Sequence, residues 1–217
     1  MRRSRDPAEA GLTGIYAIID NSARPELQLA ALARAAARAG VKAVQLRAKT
    51  LPAGALLAAA REVVALVHEA GMICIINDRL DVALATGADG VHLGQEDLPL
   101  AAARKVVGDR CWIGISTHSV AEARQAEKNG ADYVGFGAMY ATSSKDRVTA
   151  PQGVERLAEV AAAVSIPVIA IGGIVRERIP EIRAARAAGA AVIGAWVLAP
   201  EPEAALRELV AAWRKLD

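Results

Sequence analysis

Aromatic side chains are scarce in this chain: its 217 residues include one Phe, three Tyr and three Trp. A core must therefore be filled by Ala, Val, Ile and Leu, and at 53% hydrophobic residues the chain can bury a sizeable interior without staples. Cysteine is nearly absent. Cys74 and Cys111 each stand in an apolar run, away from any CxxC or Cys/His spacing, which argues against disulfides and zinc and predicts buried free thiols. Charge of one sign is not in excess either: 26 basic against 24 acidic residues leave a formal +2. Beyond "MRRSR" no basic tract points to nucleic acid or an anionic membrane. No apolar run reaches spanning length, and the start lacks the apolar centre of a signal peptide. These absences predict a soluble, cytoplasmic globular protein whose partners are small molecules.

What the chain does have is a rhythm. Short β-type runs are expected at 14–20, 42–47, 72–78, 90–94, 111–116, 132–137, 167–173 and 191–196. Helical patterns fall roughly at 25–39, 53–70, 79–86, 98–107, 119–129, 151–164, 176–188 and 201–216. Gly40, Gly71, Gly130 and Gly189 read as helix stops, Ser119 as a cap, and Pro25 and Pro99 as first-turn residues. The phrases "TGADGVHLG" and "NGADYVGFG" repeat one helix-end, glycine, strand design. Eight such units without a composition break predict an α/β fold, a single (β/α)8 TIM barrel over residues 11–217 behind a solvated tail at 1–10. A doubly wound open sheet is the competing architecture, disfavoured by the count of eight. Homo-oligomerisation is compatible with either.

Such barrels carry their chemistry at the C-terminal ends of the strands. There the stretch "VKAVQLRAKT" places Gln45, Arg47 and Lys49 at a spacing of two, hence on one face. Asn77 and Asp78 end the third run, Asp97 follows the fourth in "GQEDLP", and Ser116 ends the fifth. Then come Thr142, Ser144 and Lys145, followed by "AIGGI" with Gly173 and "AVIGAW" with Ile193 and Gly194. Two cations, two carboxylates and an amide suit a diphosphate with Mg²⁺, which takes one or two carboxylates and completes its shell with waters and phosphate oxygens. Glycines after the last two strands suit a monophosphate. Each residue also has a plain reading. Arg47 and Lys49 can be a solvated strand end, Asp78 and Asp97 helix caps, and Ser116 a turn residue. His68 reads as structural and His92 as a satisfied barrel histidine or part of the mouth. No Ser–His–Asp set or activated Cys supports covalent catalysis.

With "QLRAK", "IND", "GADGVHLGQEDLP", "GISTHS", "TSSK" and "AIGGI" in this order, the chain resembles the thiamine-phosphate synthase family from about residue 14 to 198. The resemblance implies transfer of a pyrimidinylmethyl group from hydroxymethylpyrimidine diphosphate to thiazole monophosphate, giving thiamine phosphate and pyrophosphate. It implies a Mg²⁺-assisted dissociative displacement. Gln45, Arg47, Lys49, Asn77, Ser116 and Lys145 would surround the pyrimidine diphosphate, with Arg47, Lys49, Lys145 and Ser116 catalytic. Asp78 and Asp97 would take the metal. Thr142, Ser144, the backbone of Gly173, and Ile193 with Gly194 would hold the thiazole phosphate.

Two departures stand out. The family usually reads "GPxxPTxTK" where this chain has "GAMYATSSK", so Ala138 and Ala141 replace prolines and Ser144 a threonine. The family also usually has Ser where Gly194 aligns. The sequence leaves two rivals: a thiazole tautomerase-like isomerase, whose catalytic His falls where this chain has Ala138, and a non-catalytic phosphate-binding barrel. A sugar-phosphate isomerase is a looser third, argued from fold alone.

Overall fold

Strand β1 (Gly14–Asp20) pairs in parallel with β2 (Ala43–Arg47) on one side and with β8 (Gly189–Val192) on the other, and this double pairing closes the sheet. The structure, a computed structural model, describes residues 7–20, 22, 24–141 and 150–215. Around the ring follow β3 (Ile73–Asn77), β4 (Gly90–Leu93), β5 (Trp112–Thr117), β6 (Tyr133–Phe136) and β7 (Val168–Ile171), each paired with its sequence neighbours. The helices are α1 (Leu29–Ala39), α2 (Ala53–Glu69), α3 (Leu80–Thr86), α4 (Leu100–Val107), α5 (Val120–Lys128), α6 (Gly153–Ala163), α7 (Ile179–Ala184), the short α8 (Gly194–Val197) and α9 (Pro202–Arg214). The expected (β/α)8 barrel is the fold, and the open sheet is excluded by the β1–β8 ladder.

Because side chains alternate along a strand, the sheet makes two cores. Ile15, Ala17, Ile19, Val44, Leu46, Cys74 and Ile76 face the helices, while Tyr16, Ile18, Ala43, Ile73, Ile75, Trp112, Tyr133, Ile169 and Ala191 fill the barrel. Alanine does for the outer layer what bulk does elsewhere. Helix α1 buries Ala30, Ala33, Ala35, Ala36 and Ala39 beside two leucines, and these short side chains let it lie against both α2 and α9. Both cysteines are buried free thiols, and burial pushes the Cys111 thiol up to about 12. Among the described residues no helix is long and apolar enough to cross a membrane.

The repeated "GAD" phrase has a mechanical basis. Asp89 accepts the Cys74 N–H at 2.8 Å and contacts His68 Nε2 at 2.9 Å, so His68 is structural. Asp132 does the same two βα units later, accepting the Ile113 N–H at 2.7 Å while pairing with Arg104. Each aspartate thus ties the start of its own strand to the strand before it. Ser119 caps α5 as expected, its hydroxyl accepting the Glu122 N–H at 3.1 Å, while the Glu122 carboxylate accepts the His118 N–H at 2.8 Å.

Several boundaries differ from the sequence expectation, three of them with a clear local cause. Residues 7–11 form a turn in which the Leu12 N–H reaches the Pro7 carbonyl at 2.7 Å, and Ala10 packs on the inner core, so ordered chain starts before residue 11. Pro25 lies in a turn closed by the Leu27 N–H on the Arg24 carbonyl, with α1 starting only at Leu29. The eighth strand is Gly189–Val192, earlier than the expected 191–196. Arg186 takes the left-handed turn after α7, at φ 62°, and Gly189 instead opens the strand. A Cβ there would sit 2.6 Å from the Gly14 carbonyl oxygen, so glycine permits the close β8–β1 approach.

Candidate active site

The three alternating polar residues of the second unit do share a face. Gln45, Arg47 and Lys49 all line a cavity of about 510 Å³ at the C-terminal mouth of the barrel, together with Asn77, Asp78, Asp97 and Ser116. Arg47 is not a solvated strand end. Its Nη1 is paired with Asp20, which sits directly across the β1–β2 ladder and is 2% exposed. The other Asp20 oxygen accepts the Ser22 N–H at 2.8 Å, so the carboxylate is itself held. Lys49 lies just past the strand, its Nζ 3.7 Å from Asp78 Oδ2.

Asp78 and Asp97 converge. Helix α3 starts from Arg79 and α4 from Pro99, neither with a side-chain cap, so the capping reading of both aspartates is excluded. Asp78 follows the last β3 residue at φ 60°, a left-handed conformation that costs a non-glycine residue energy and is tolerated best by Asn and Asp. Its N–H extends the ladder to the His92 carbonyl at 2.8 Å. Asp97 is anchored by the Gly94 N–H, 2.7 Å from Oδ2. Burial, then hydrogen bonding and repulsion from the Asp97 carboxyl, push Asp78 up to about 6 against the pull of Lys49 and Arg47.

Below this rim the barrel floor is polar. Gly114 makes the opening: a Cβ there would lie 2.1 Å from the Tyr133 ring, and its absence admits that ring to the barrel axis. Tyr133, Tyr16, His92, Gln45 and Ser116 then meet in a continuous set of hydrogen bonds of 3.0–3.3 Å. Burial raises both tyrosine hydroxyls well above their ordinary range, so they keep their protons. His92 is both satisfied and cavity-lining, joining the two readings the sequence offered.

At the opposite rim, Ile193 and Gly172 line the cavity, whereas Gly173 and Gly194 are not among its lining residues. Gly172 and Gly173 have φ of 103° and 65°, and a Cβ on Gly173 would meet the Ala141 carbonyl oxygen at 2.6 Å. These glycines therefore admit the backbone that follows β6, whose Tyr140 N–H bonds the Gly172 carbonyl at 3.0 Å. Gly194 is the first residue of α8. Thr142, Ser144 and Lys145 lie outside the described residues. Sequence reasoning missed Tyr16, Asp20, Tyr133 and His118. For the first two the signal was present: "GIYAIID" puts Tyr16, Ile18 and Asp20 on one alternating face.

The thiamine monophosphate synthase family matches residues 15–196. The chain belongs to that family. It is 51% identical over 176 residues to the thiamine-phosphate synthase of Chlorobium luteolum, covering 81% of this chain and 83% of that protein. It is 43% identical over 210 residues to the thiamine-phosphate synthase of Roseiflexus castenholzii, covering 96% and 92%. The solved thiamine phosphate pyrophosphorylase of Pyrococcus furiosus superposes with a TM-score of 0.87 at 34% identity, covering 95% of this chain and 98% of that one. As a thiamine-phosphate synthase the chain is a transferase of the EC 2.5.1.3 type, and the isomerase and non-catalytic alternatives fall away.

Proposed function

We propose that the cavity joins hydroxymethylpyrimidine diphosphate to thiazole monophosphate, with Asp78 and Asp97 holding Mg²⁺ and Gln45, Arg47, Lys49, Asn77, Ser116 and Lys145 surrounding the pyrimidine diphosphate. The observation that carries this reading is the convergence on one wall of two cations and two carboxylates, Arg47 and Lys49 beside Asp78 and Asp97. The donor set fits the metal. Its oxygens are hard, and two carboxylates leave room for waters and phosphate oxygens in an octahedron. Among the described residues no third acidic, His or Cys group joins them, which suits Mg²⁺ better than a zinc-type cage. When bound, Mg²⁺ would neutralise charge that grows on the departing diphosphate.

The C–O bond between the pyrimidinylmethyl carbon and the diphosphate breaks with its electron pair leaving on pyrophosphate. The aminopyrimidine ring donates density to the resulting cation. Arg47, Lys49 and Lys145 stabilise the departing charge from fixed positions, the Arg47 fork being held in advance by Asp20. The thiazole nitrogen then donates its lone pair to the carbon, forming the new C–N bond. No proton is removed, which accords with a site whose one buried histidine is engaged at both ring nitrogens. Thr142, Ser144, Gly173, Ile193 and Gly194 hold the thiazole phosphate, so the two anchored phosphates set the line of attack. Cytoplasmic location and homo-oligomerisation belong to this proposal as well.

Pyrophosphate release tests the reading. It should require both substrates and Mg²⁺ together. Release without the thiazole phosphate, or conversion of a thiazole compound alone, would refute it.

A further inference from the structure

Tyr140 is bonded twice to the segment that follows β7, once at each end of it. Its N–H reaches the Gly172 carbonyl at 3.0 Å, and its hydroxyl donates to Glu181 Oε1, in the first turn of α7, at 2.6 Å. Arg178, just ahead of α7, completes the far end. Its guanidinium carbon lies 4.7 Å from the Tyr140 ring centroid, and its Nη1 donates to the same Glu181 oxygen at 3.1 Å. The bond also marks the acid: the Tyr140 hydroxyl is the main cause holding the Glu181 carboxyl below its ordinary range.

The stretch between these two ties has little else to fix it. From Gly173 to Arg178 only Ile174 is buried, and residues 175–178 are exposed. Gly172 and Gly173, both at positive φ, have no side chains to set the turn, so its shape comes from its surroundings. The backbone on the Tyr140 side also lacks proline stiffening, because alanine stands at 138 and 141 where the family usually has proline. Contact takes over that task. Tyr140 lies so close to Gly173 that a Cβ added to the glycine would meet Tyr140 Cβ at 2.9 Å. The Arg178–Glu181 pair is half-exposed, and such pairs contribute little. The short hydrogen bond from the hydroxyl to a carboxylate is the stronger tie.

We propose that Tyr140 is a positioning residue for the thiazole-phosphate end of the cavity: bonded to Glu181, it holds the Gly172–Gly173 turn in the shape that presents its backbone to the phosphate. The inference rests on the place given to Gly173 in the functional reading above. Tyr140 is not among the residues lining the cavity, so it acts through the turn rather than on a substrate. Backbone N–H groups hold an anion only while they converge on it, and the tie keeps them from drifting apart.

Two substitutions test this. Tyr140→Phe keeps the ring under Arg178 and removes the hydroxyl, and Glu181→Ala removes its acceptor. Each should raise the KM for thiazole phosphate about three- to tenfold, while the KM for the pyrimidine diphosphate holds. The double variant should be no worse than either single one, because all three lose the same bond. Effects that multiply in the double variant, or a rise shared by both substrates, would overturn the proposal. A second readout needs no turnover: amide hydrogen exchange of the ligand-free protein. Residues 172–181 should exchange faster in both single variants, with β5 unchanged. Exchange at wild-type rates over 172–181 overturns the proposal. If the wild type releases no pyrophosphate while exchange responds, the hold on the turn stands and the catalytic reading is the one that fails.

Discussion

Asp20 and Arg47 stand opposite each other on β1 and β2, and the buried carboxylate holds the guanidinium at the rim of the cavity. A guanidinium held on one side keeps its remaining N–H groups directed, which matters for a planar phosphate partner. Asp20→Asn keeps the size and removes the charge. The KM for the pyrimidine diphosphate should rise on the order of tenfold, the value of one charge-assisted hydrogen bond, while the KM for thiazole phosphate holds. Steady-state kinetics varying each substrate would show this; equal effects on both would mean Asp20 acts only through stability.

Asp78 gives a pH signature in the metal-free protein. Its folded carboxyl titrates near 6, above the ordinary 3.8, so the folded state binds the extra proton between those values. The stability from this group is therefore complete below about 3.8 and is lost as pH rises through 6. Asp78→Asn, which cannot ionise, should raise the melting temperature of the metal-free protein at pH 8 and have little effect at pH 4. Thermal scans in chelator at the two pH values measure this, and an equal gain at both would contradict it.

Gly194 is replaceable in this backbone. Its φ is not positive, and an added Cβ would meet only Leu198 Cδ1, at 3.4 Å. Gly194→Ser restores the hydroxyl usual at the aligned family position. It should lower the KM for thiazole phosphate several-fold, up to about tenfold for one hydrogen bond to a charged group. An unchanged KM with the same melting temperature would remove this end of α8 from the site.

Asp132 is expected to matter for stability alone. Asp132→Ala leaves the Ile113 N–H without its acceptor and takes the carboxylate from Arg104, whose guanidinium keeps the Gly108, Cys111 and Gly130 carbonyls, all at the bottom of the barrel on the face away from the cavity. Urea denaturation should show a loss of about 1–3 kcal/mol with kcat unchanged in the folded protein. A loss of activity without a loss of stability would be inconsistent with that assignment.

The legible part of this protein was its rhythm and its rim. Period-two alternation and glycine punctuation give the eight strands, because parallel strands buried on both faces are apolar until their ends. The same logic makes Arg47, Lys49, Asp78 and Asp97 visible, since polar residues interrupt those apolar runs where the strands emerge. The floor was harder to see. Tyr133 in "DYVGFG" looks like ordinary strand filling, and its role depends on the gap at Gly114 on the neighbouring strand, a relation between two residues far apart in sequence. Asp20 was hidden for a similar reason: its meaning comes from the register that sets it opposite Arg47. The eighth strand was misplaced because Gly189 fits either a helix stop or a tight strand crossing, and the β1 partner that decides between them is not local.

One wall of the cavity, Arg47 and Lys49 with the Asp78–Asp97 pair, is expected to grip a diphosphate together with Mg²⁺. Titration calorimetry with pyrophosphate measures this directly in wild type, Asp97→Ala and Arg47→Ala. Pyrophosphate should bind the wild type at a single Mg²⁺-dependent site, and each substitution should weaken it by about a hundredfold, the value of roughly 3 kcal/mol of charge stabilisation. Equal affinity in all three proteins, or wild-type affinity indifferent to Mg²⁺, would contradict the account.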